Sequence, residues 1–489
     1  MTKALFIFIS LFVSLLSFGQ TTVIGFAPEF IGKEANIYLV DDFITNKRKQ
    51  VGTGIVEAKD SSFHISFENK EINKAVVEIG NIVGYLYVDQ GKTYEVIFRP
   101  VSKDPKRLTE NVIVLSFLNL PEDDINYKIL AFDMWVDDFL FKHYYKSHVN
   151  AGSVKSDSLT DERARTDFFS ELDTFKIYVD DYYRDEQNVF FLNYIKYSVA
   201  QLDNLHHKKM TNNEGIKRFE TYLKDVPIHY NNEKFMNYFK FFFSEYFSTL
   251  PHSNEEDIIR AIHKQSPREL WKALAFDYRL TNPQHKELVM ILALGESYYS
   301  MPYEQNDIII IMDSLTQISR VPQNKIICQN ILNEITSLMP GYPAPVIALN
   351  DGGKEPKAWI NYEGYHIYVS FFETWCTECI KEMRIIKSMS EKYEGAVKFV
   401  SICTDSDPEN FAKFRKNHPE FDWDFYHVSG NKNEVLSKFK VKDLPAYFLL
   451  DQDGFIVQAP AQSPVPDGEY ETIEKTFDEI IKALKYRNE

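Results

Sequence analysis

Cysteine is scarce in this chain, with four among 489 residues. Four cannot staple a chain of this length, which excludes a disulfide scaffold. A block of basic residues is missing too, and the net charge is −16. An acidic chain without such a block is a poor partner for nucleic acid or anionic lipid. Past the first residues, no apolar run reaches the ~20 residues that a membrane span needs. No repeat of fixed period is visible. A second Cys-x-x-Cys is also absent, whereas a zinc site needs about four ligands.

What is present is ordinary in amount and rich in aromatics. The hydrophobic fraction is 44%, with 29 Tyr and 38 Phe. That supply builds sizeable cores without disulfides. The chain length fits about three domains at ~150 residues each.

The opening "MTKALFIFISLFVSLLSFGQTT" has the form of a secretory signal. Lys3 gives the positive start, Ala4 to Phe18 is apolar apart from serines, and Ser17 and Gly19 are small residues before Gln20. The run is short for a membrane anchor. No cysteine follows it, so a lipoprotein anchor is not supported. The expectation is a signal peptide at 1–19 and an exported protein of the periplasm or cell envelope, with no stable membrane span once the signal is removed.

Residues 20–105 read as short strands rich in β-branched and aromatic residues. In "SSFHISFE", Phe63, Ile65 and Phe67 alternate at period 2 and share a face. A β-sandwich-like, antiparallel domain fits this pattern. Residues 106–340 read as an all-helical domain. "DDINYKILAFDMWVDDFLF" spaces Ile125, Ile129, Phe132 and Val136 as a helix does. "NEKFMNYFKFFFSEYFSTLP" reads as one helix stopped by Pro251. Its aromatics lie almost all round, which marks a helix buried between others rather than a membrane-seeking one. Cys328 sits among Ile326, Ile327 and Ile331 and reads as a buried, inert thiol. "MPGYPAPVIALNDGG" breaks the helical pattern and reads as a linker.

Residues 341–489 alternate strand and helix. "YHIYVSFF" is a continuous apolar run, the signature of a central strand covered on both faces. "IKEMRIIKSMSEKY" is helical, and "AVKFVSIC" is a second buried strand that places Cys403 in the core. "SDPENFAKFRKN" opens a helix with Pro408 in its first turn. "AYFLLDQDGFIVQAP" is a hairpin turned at Asp453-Gly454. The fold class is therefore multidomain α+β: an N-terminal sandwich, a central helical domain and a C-terminal α/β domain. The C-terminal order reads β-α-β-α-(α)-β-β-α.

Half of the cysteines lie in "FFETWCTECIKEM". Cys376 ends the first buried strand, and Cys379 enters the helix that follows. The amides at a helix N-terminus favour an anion, so a thiolate is stabilised there. The first cysteine then becomes a nucleophile near neutral pH, and the second lies one turn on, within reach of a mixed disulfide. Far downstream, "VKDLPAYFLL" places Pro445 just before a strand, where a cis peptide fits a tight bend. Three other readings stay open. One is a purely structural bridge, although so small a loop stabilises little. Another is a peroxidase of the peroxiredoxin class, although Thr374 precedes Cys376 by two residues where that class needs three. The third is a ligand- or partner-binding envelope protein in which the redox module is secondary. His366, in an apolar strand, reads as a satisfied core histidine rather than a metal ligand. No metal and no cofactor are expected.

"WCTEC" with the following "KEM", "SICTDSDPENFAKF" and "LPAYFLLDQDG" together resemble a thioredoxin-fold module of the TlpA/ResA type, the membrane-associated and periplasmic thiol-disulfide oxidoreductases. The N-terminal strands resemble, by pattern and position only, the small β domain that precedes such modules in bacterial envelope proteins. The resemblance implies that Cys376 attacks and Cys379 resolves. Trp375 matches the tryptophan before the pair, Pro445 the cis-proline and Leu444 the residue ahead of it. Glu382 matches an acidic residue that tunes the thiols in part of the family. Thr377 and Glu378, between the cysteines, are further candidates for substrate contact or tuning. The implied activity is reduction of protein disulfides, with a membrane thiol-transfer protein as electron donor. Two positions depart from the pattern. Glu378 stands where many members have proline, and a carboxylate there opposes the helix dipole, so a less acidic Cys376 and a more reducing couple are expected. Arg384 replaces a proline common after "EM", which touches helix geometry more than chemistry.

Overall fold

In a computed structural model, the described residues are 20–80, 82–99, 111–145, 158–205, 212–298, 300, 302–347, 362, 364–405, 407–428, 432–441, 443–465 and 472–487. The expected signal segment, 1–19, lies outside them. The chain packs into two compact units. One holds most of the described residues up to Phe242, and the other holds those from Phe243 onward.

The first unit begins with β1 (Thr21–Phe26), β2 (Glu34–Asp42), β3 (Lys47–Ile55), β4 (Ser62–Phe67), β5 (Asn73–Ile79), β6 (Ile82–Val88), β7 (Thr93–Ile97), β8 (Asn111–Ile113) and β9 (Ser116–Phe117). They form two sheets, ordered β4-β1-β7-β9 and β3-β2-β5-β6-β8. The expected face of Phe63, Ile65 and Phe67 is buried. The pairing is mixed rather than wholly antiparallel: β1 is antiparallel to β4 and parallel to β7. A parallel pair needs a long crossover, and here the chain makes one by building strands of the other sheet in between.

Helices α1 (Ile125–Leu140), α2 (Ser158–Tyr182), α3 (Val189–Leu202), α4 (Asn212–Tyr222) and α5 (Glu233–Phe242) complete this unit. Asn126 binds the backbone of Tyr87 at both ends: its Oδ1 accepts from the amide at 2.7 Å, and its Nδ2 donates to the carbonyl at 2.8 Å. Lys74 on β5 pairs with Glu233 of α5 at 2.6 Å. The aromatic run expected as one helix to Pro251 stops early. α5 ends at Phe242, and Glu245 takes a left-handed φ of 51°. Phe235, Met236, Tyr238 and Phe239 of α5 are buried, so the helix is a core element.

The second unit starts with α6 (His252–His263), α7 (Pro267–Ala273), α8 (Pro283–Ser297), α9 (Gln305–Ile318) and α10 (Pro322–Thr336). It continues with β10 (His366–Phe372), α11 (Thr377–Lys392), β11 (Val397–Cys403), α12 (Pro408–Asn417), β12 (Asp424–His427), α13 (Lys432–Lys438), β13 (Ala446–Leu450), β14 (Ile456–Gln458) and α14 (Glu474–Arg487). The sheet order is β12-β11-β10-β13-β14. β10, β11 and β12 run parallel, while β13 and β14 are antiparallel to their neighbours. The edge strand β12 was not anticipated, because Asp422 and Asp424 in "FDWDFYH" break its apolar pattern.

β10 is buried on both faces, as its continuous apolar run requires. Ile367, Val369 and Phe371 pack into one core, whereas Tyr368 packs into another with Phe399, Tyr447 and Phe477. α12 starts as expected: Asp407 caps it by accepting from the Glu409 amide at 2.9 Å, and Pro408 follows. The segment read as a linker is docked. The amides of Gly341 and Ala344 donate to the carbonyls of Ile456 and Gly454 at 2.7 and 2.9 Å. Ile456 returns an amide to Tyr342 at 2.8 Å. Leu338 and Ala344 belong to the core beneath β10 and β13.

Candidate functional site

β10 ends at Phe372, and four residues carry the chain to α11, so the turn between them holds Cys376 at the N-cap of the helix. Its Sγ accepts from the Cys379 amide at 3.2 Å, the contact that supports negative charge on this sulfur. Cys376 and Cys379 are joined as a disulfide with their Cα atoms 5.3 Å apart. Both are buried in a cluster with Phe372, Met383, Cys403 and Phe425, and Leu444 packs against that cluster. The Leu444–Pro445 peptide is cis, as the motif led one to expect. A second cis peptide, Ala459–Pro460, was not anticipated.

Family comparison identifies this part of the chain. A family model described as thioredoxin-like matches residues 365–456. The C-terminal module is thioredoxin-like and is similar in sequence to modules of the TlpA/ResA type. Over 122 residues the chain is 28% identical to the thiol-disulfide oxidoreductase ResA of Bacillus thuringiensis, covering 24% of this chain and 67% of that protein. ResA of Geobacillus thermodenitrificans is 27% identical over 126 residues, covering 26% and 71%. A solved structure of a candidate thiol-disulfide oxidoreductase from Bacteroides vulgatus aligns over 30% of this chain and 99% of that one, at 26% identity and a TM-score of 0.27.

Within the thioredoxin-like module, Glu382 is buried on α11, one turn past Cys379. Its Oε2 accepts from the Tyr447 hydroxyl at 2.6 Å and from Ser463 Oγ at 3.1 Å. Burial pushes the Tyr447 phenol well up, and neighbouring Tyr368 and the bond to Glu382 add to this, so Tyr447 stays a donor. Its ring stacks on Tyr368 at 5.3 Å with 2° between planes. A cleft of about 1170 Å³ is lined by Glu378, Glu382, Pro445 and Tyr447, among others. The structure thus brings Glu378, Glu382 and Pro445 to one cleft. Glu378 is exposed, and its carboxylate lies 2.9 Å from Lys381 Nζ, a cation that offsets its field at the helix start. Thr377 is exposed on the first turn of α11.

Sequence reasoning missed a second set of groups behind the cysteine turn. Glu373 and Asp405, at the ends of β10 and β11, are both buried carboxylates. Glu373 accepts from Thr404 Oγ1 at 3.2 Å, and Asp405 accepts from the Thr374 amide at 3.3 Å and from its hydroxyl. Each carboxylate thus binds the threonine beside the other, and the two strand ends are braced together. Glu373 also accepts from the Trp375 indole N–H, while the ring itself is 71% exposed. The signal for this brace was "ETW" facing "CTD", two Thr-carboxylate neighbours at the ends of adjacent strands.

The two other cysteines are core residues. Cys328 donates to the Met312 carbonyl at 3.4 Å, and burial pushes its thiol up to about 12. Burial pushes Cys403 far up as well, with the Asp405 and Glu373 carboxylates adding to it. His366 departs from expectation: its Nδ1 is buried without a hydrogen-bond partner among the described residues. Burial lowers its pKa, which keeps the ring neutral. Among the described residues, no group of three or more His, Cys, Asp or Glu is placed to hold a metal ion. No described helix is long and apolar enough to cross a membrane.

Proposed function

We propose that this chain is an exported thiol-disulfide oxidoreductase that reduces protein disulfides through Cys376 and Cys379. One observation carries the reading: Cys376 caps α11 with its sulfur toward the Cys379 amide, and Cys379 is within bonding reach. The Cys376 thiolate attacks one sulfur of a substrate disulfide. The other substrate sulfur leaves as a thiolate and takes up a proton. The Cys379 thiolate then attacks the Cys376 sulfur and expels the second substrate thiol. Two electrons have passed to the substrate, and the chain is left with the Cys376–Cys379 disulfide. Glu382 stands one turn from Cys379 to take and return its proton. Pro445 and Leu444 form the substrate-facing bend, with Trp375, Thr377 and Glu378 around it.

Each further turnover needs two electrons from a dithiol donor, for which a membrane thiol-transfer protein is proposed. The periplasm or cell envelope is the proposed location, on the form of residues 1–19. The proposed organisation is a signal at 1–19, a β domain at 20–105, a helical domain at 106–340 and the thioredoxin-like domain at 341–489.

The test is Cys379→Ala in the full chain. The variant should hold substrates on Cys376 as mixed disulfides that dithiothreitol releases. No trapped species, together with no disulfide reduction by the intact protein, would overturn the reading.

A further inference from the structure

Only part of the cleft beside Glu382 belongs to the thioredoxin-like module. Its opposite wall comes from the helices that precede the module in the second unit: Gln305 at the start of α9, Ile335 on α10, and Ser337 and Met339 just after it. This wall is fastened in place. The residues that follow it pair with β14 and the turn before it through three backbone hydrogen bonds of 2.7 to 2.9 Å. Leu338 is inserted into the module core. Lys440 reaches across and donates to the Glu334 carbonyl at 3.3 Å. Tyr298, buried on the helical side, donates to Met339 Sδ at 2.9 Å.

We infer that the helical segment supplies a second wall to the substrate site, so that the cleft takes an extended stretch of polypeptide with a lysine or arginine beside its cystine. The inference rests on the reductase reading. At about 1170 Å³ the cleft is larger than the ~300–1,000 Å³ of small-molecule pockets. A trough with two fixed sides admits an extended strand and turns away a broad folded surface. Its charge is acidic. Among the described lining residues, Glu378, Glu382 and Asp443 stand against Lys440, which keeps its charge while donating to the Glu334 carbonyl, and Glu378 is offset by Lys381, so Glu382 and Asp443 are the carboxylates left to a ligand. Among the described residues, Glu382 is held by two hydroxyls, and Asp443 makes no hydrogen bond or ion pair. A cationic side chain on the substrate would complement these carboxylates, and charge of this kind sets specificity and encounter rate.

The experiment uses the full chain, reduced beforehand, with three oxidants. They are hydroxyethyl disulfide and two cystine peptides that differ only in lysine or glutamate beside the cystine. The lysine peptide should show a kcat/KM about tenfold above the glutamate peptide at low salt, a margin that shrinks at high salt. Asp443→Lys should erase or reverse that margin. Gln305→Trp, which narrows the trough from the helical side, should lower the ratio of peptide to hydroxyethyl disulfide kcat/KM. Equal rates for the two peptides, or a ratio that Gln305→Trp leaves unmoved, would overturn the inference and leave the reductase reading standing. Failure of the unmodified protein to reduce hydroxyethyl disulfide would remove the reductase reading itself.

Discussion

Replacing Tyr447 by Phe removes the hydroxyl that binds Glu382 and little else. The ring keeps its stack on Tyr368, so the core under β13 is preserved. What is lost is the 2.6 Å hydrogen bond to Glu382, which leaves Ser463 at 3.1 Å as the carboxylate's other hydroxyl donor. A hydrogen bond to a charged group contributes about 1.5–3 kcal/mol. That support holds Glu382 in the charged form that can take the Cys379 proton; if its loss is fully expressed as loss of that form, the resolving step slows by up to roughly 10- to 150-fold. Attack by Cys376 precedes this step and does not draw on Glu382. Rapid mixing of reduced protein with a disulfide peptide, followed by tryptophan fluorescence and acid-quenched trapping, separates the two steps. Tyr447→Phe should accumulate the mixed disulfide on Cys376. Ser463→Ala should give the same defect more weakly, because its bond is longer and its site less buried. Resolution within twofold of the unmodified protein in a folded Tyr447→Phe variant would refute this role for Glu382.

Two further outcomes are expected. Glu373→Ala should free the Trp375 indole, seen as a lower anisotropy of the fluorescence that a Trp375→Phe reference lacks and as a raised KM for peptide disulfides; an unchanged anisotropy of that component would show that the indole is held by something else. Stability should fall as pH rises from about 9 to 12. Cys328 is raised from 9.0 to about 12 and Tyr303 from 10.0 to about 12, both chiefly by burial. Above its ordinary value each group loses its proton in the unfolded chain while the folded chain still holds it, so alkali favours unfolding. Urea melts at pH 8, 10 and 11 should show a falling midpoint, and a midpoint that rises with pH would contradict the burial of these groups.

The parts of this protein that could be read from sequence are those where one local rule governs. The continuous apolar run of β10 required cover on both faces, and Pro408 behind Asp407 marked the start of α12. The cysteine pair at a strand-to-helix junction pointed to an N-cap thiol, which is where Cys376 stands. What could not be read depends on partners distant in the chain. The brace between Glu373 and Asp405 exists only because β10 and β11 lie side by side, so its four residues look like unrelated polar positions in the sequence. β12 was hidden because Asp422 just before it and Asp424 at its start are exposed at a sheet edge, where charge is tolerated. Gly341 to Ala344, with three prolines close by, read as a linker because proline marks breaks. Hydrogen bonding to an existing edge strand needs only occasional amides, and Gly341 and Ala344 supply them.

That docked segment bears on how the protein should be taken apart. A fragment begun at Gly341 would keep the pairing along β14 but lose Leu338, a loss comparable to a core truncation of about 2–5 kcal/mol. It would also lose Gln305, Ile335, Ser337 and Met339, and with them one side of the trough. The cysteines would still react in such a fragment. Its activity would keep whatever preference Glu378, Glu382 and Asp443 impose, but the selection by shape that a second wall makes would be missing from it.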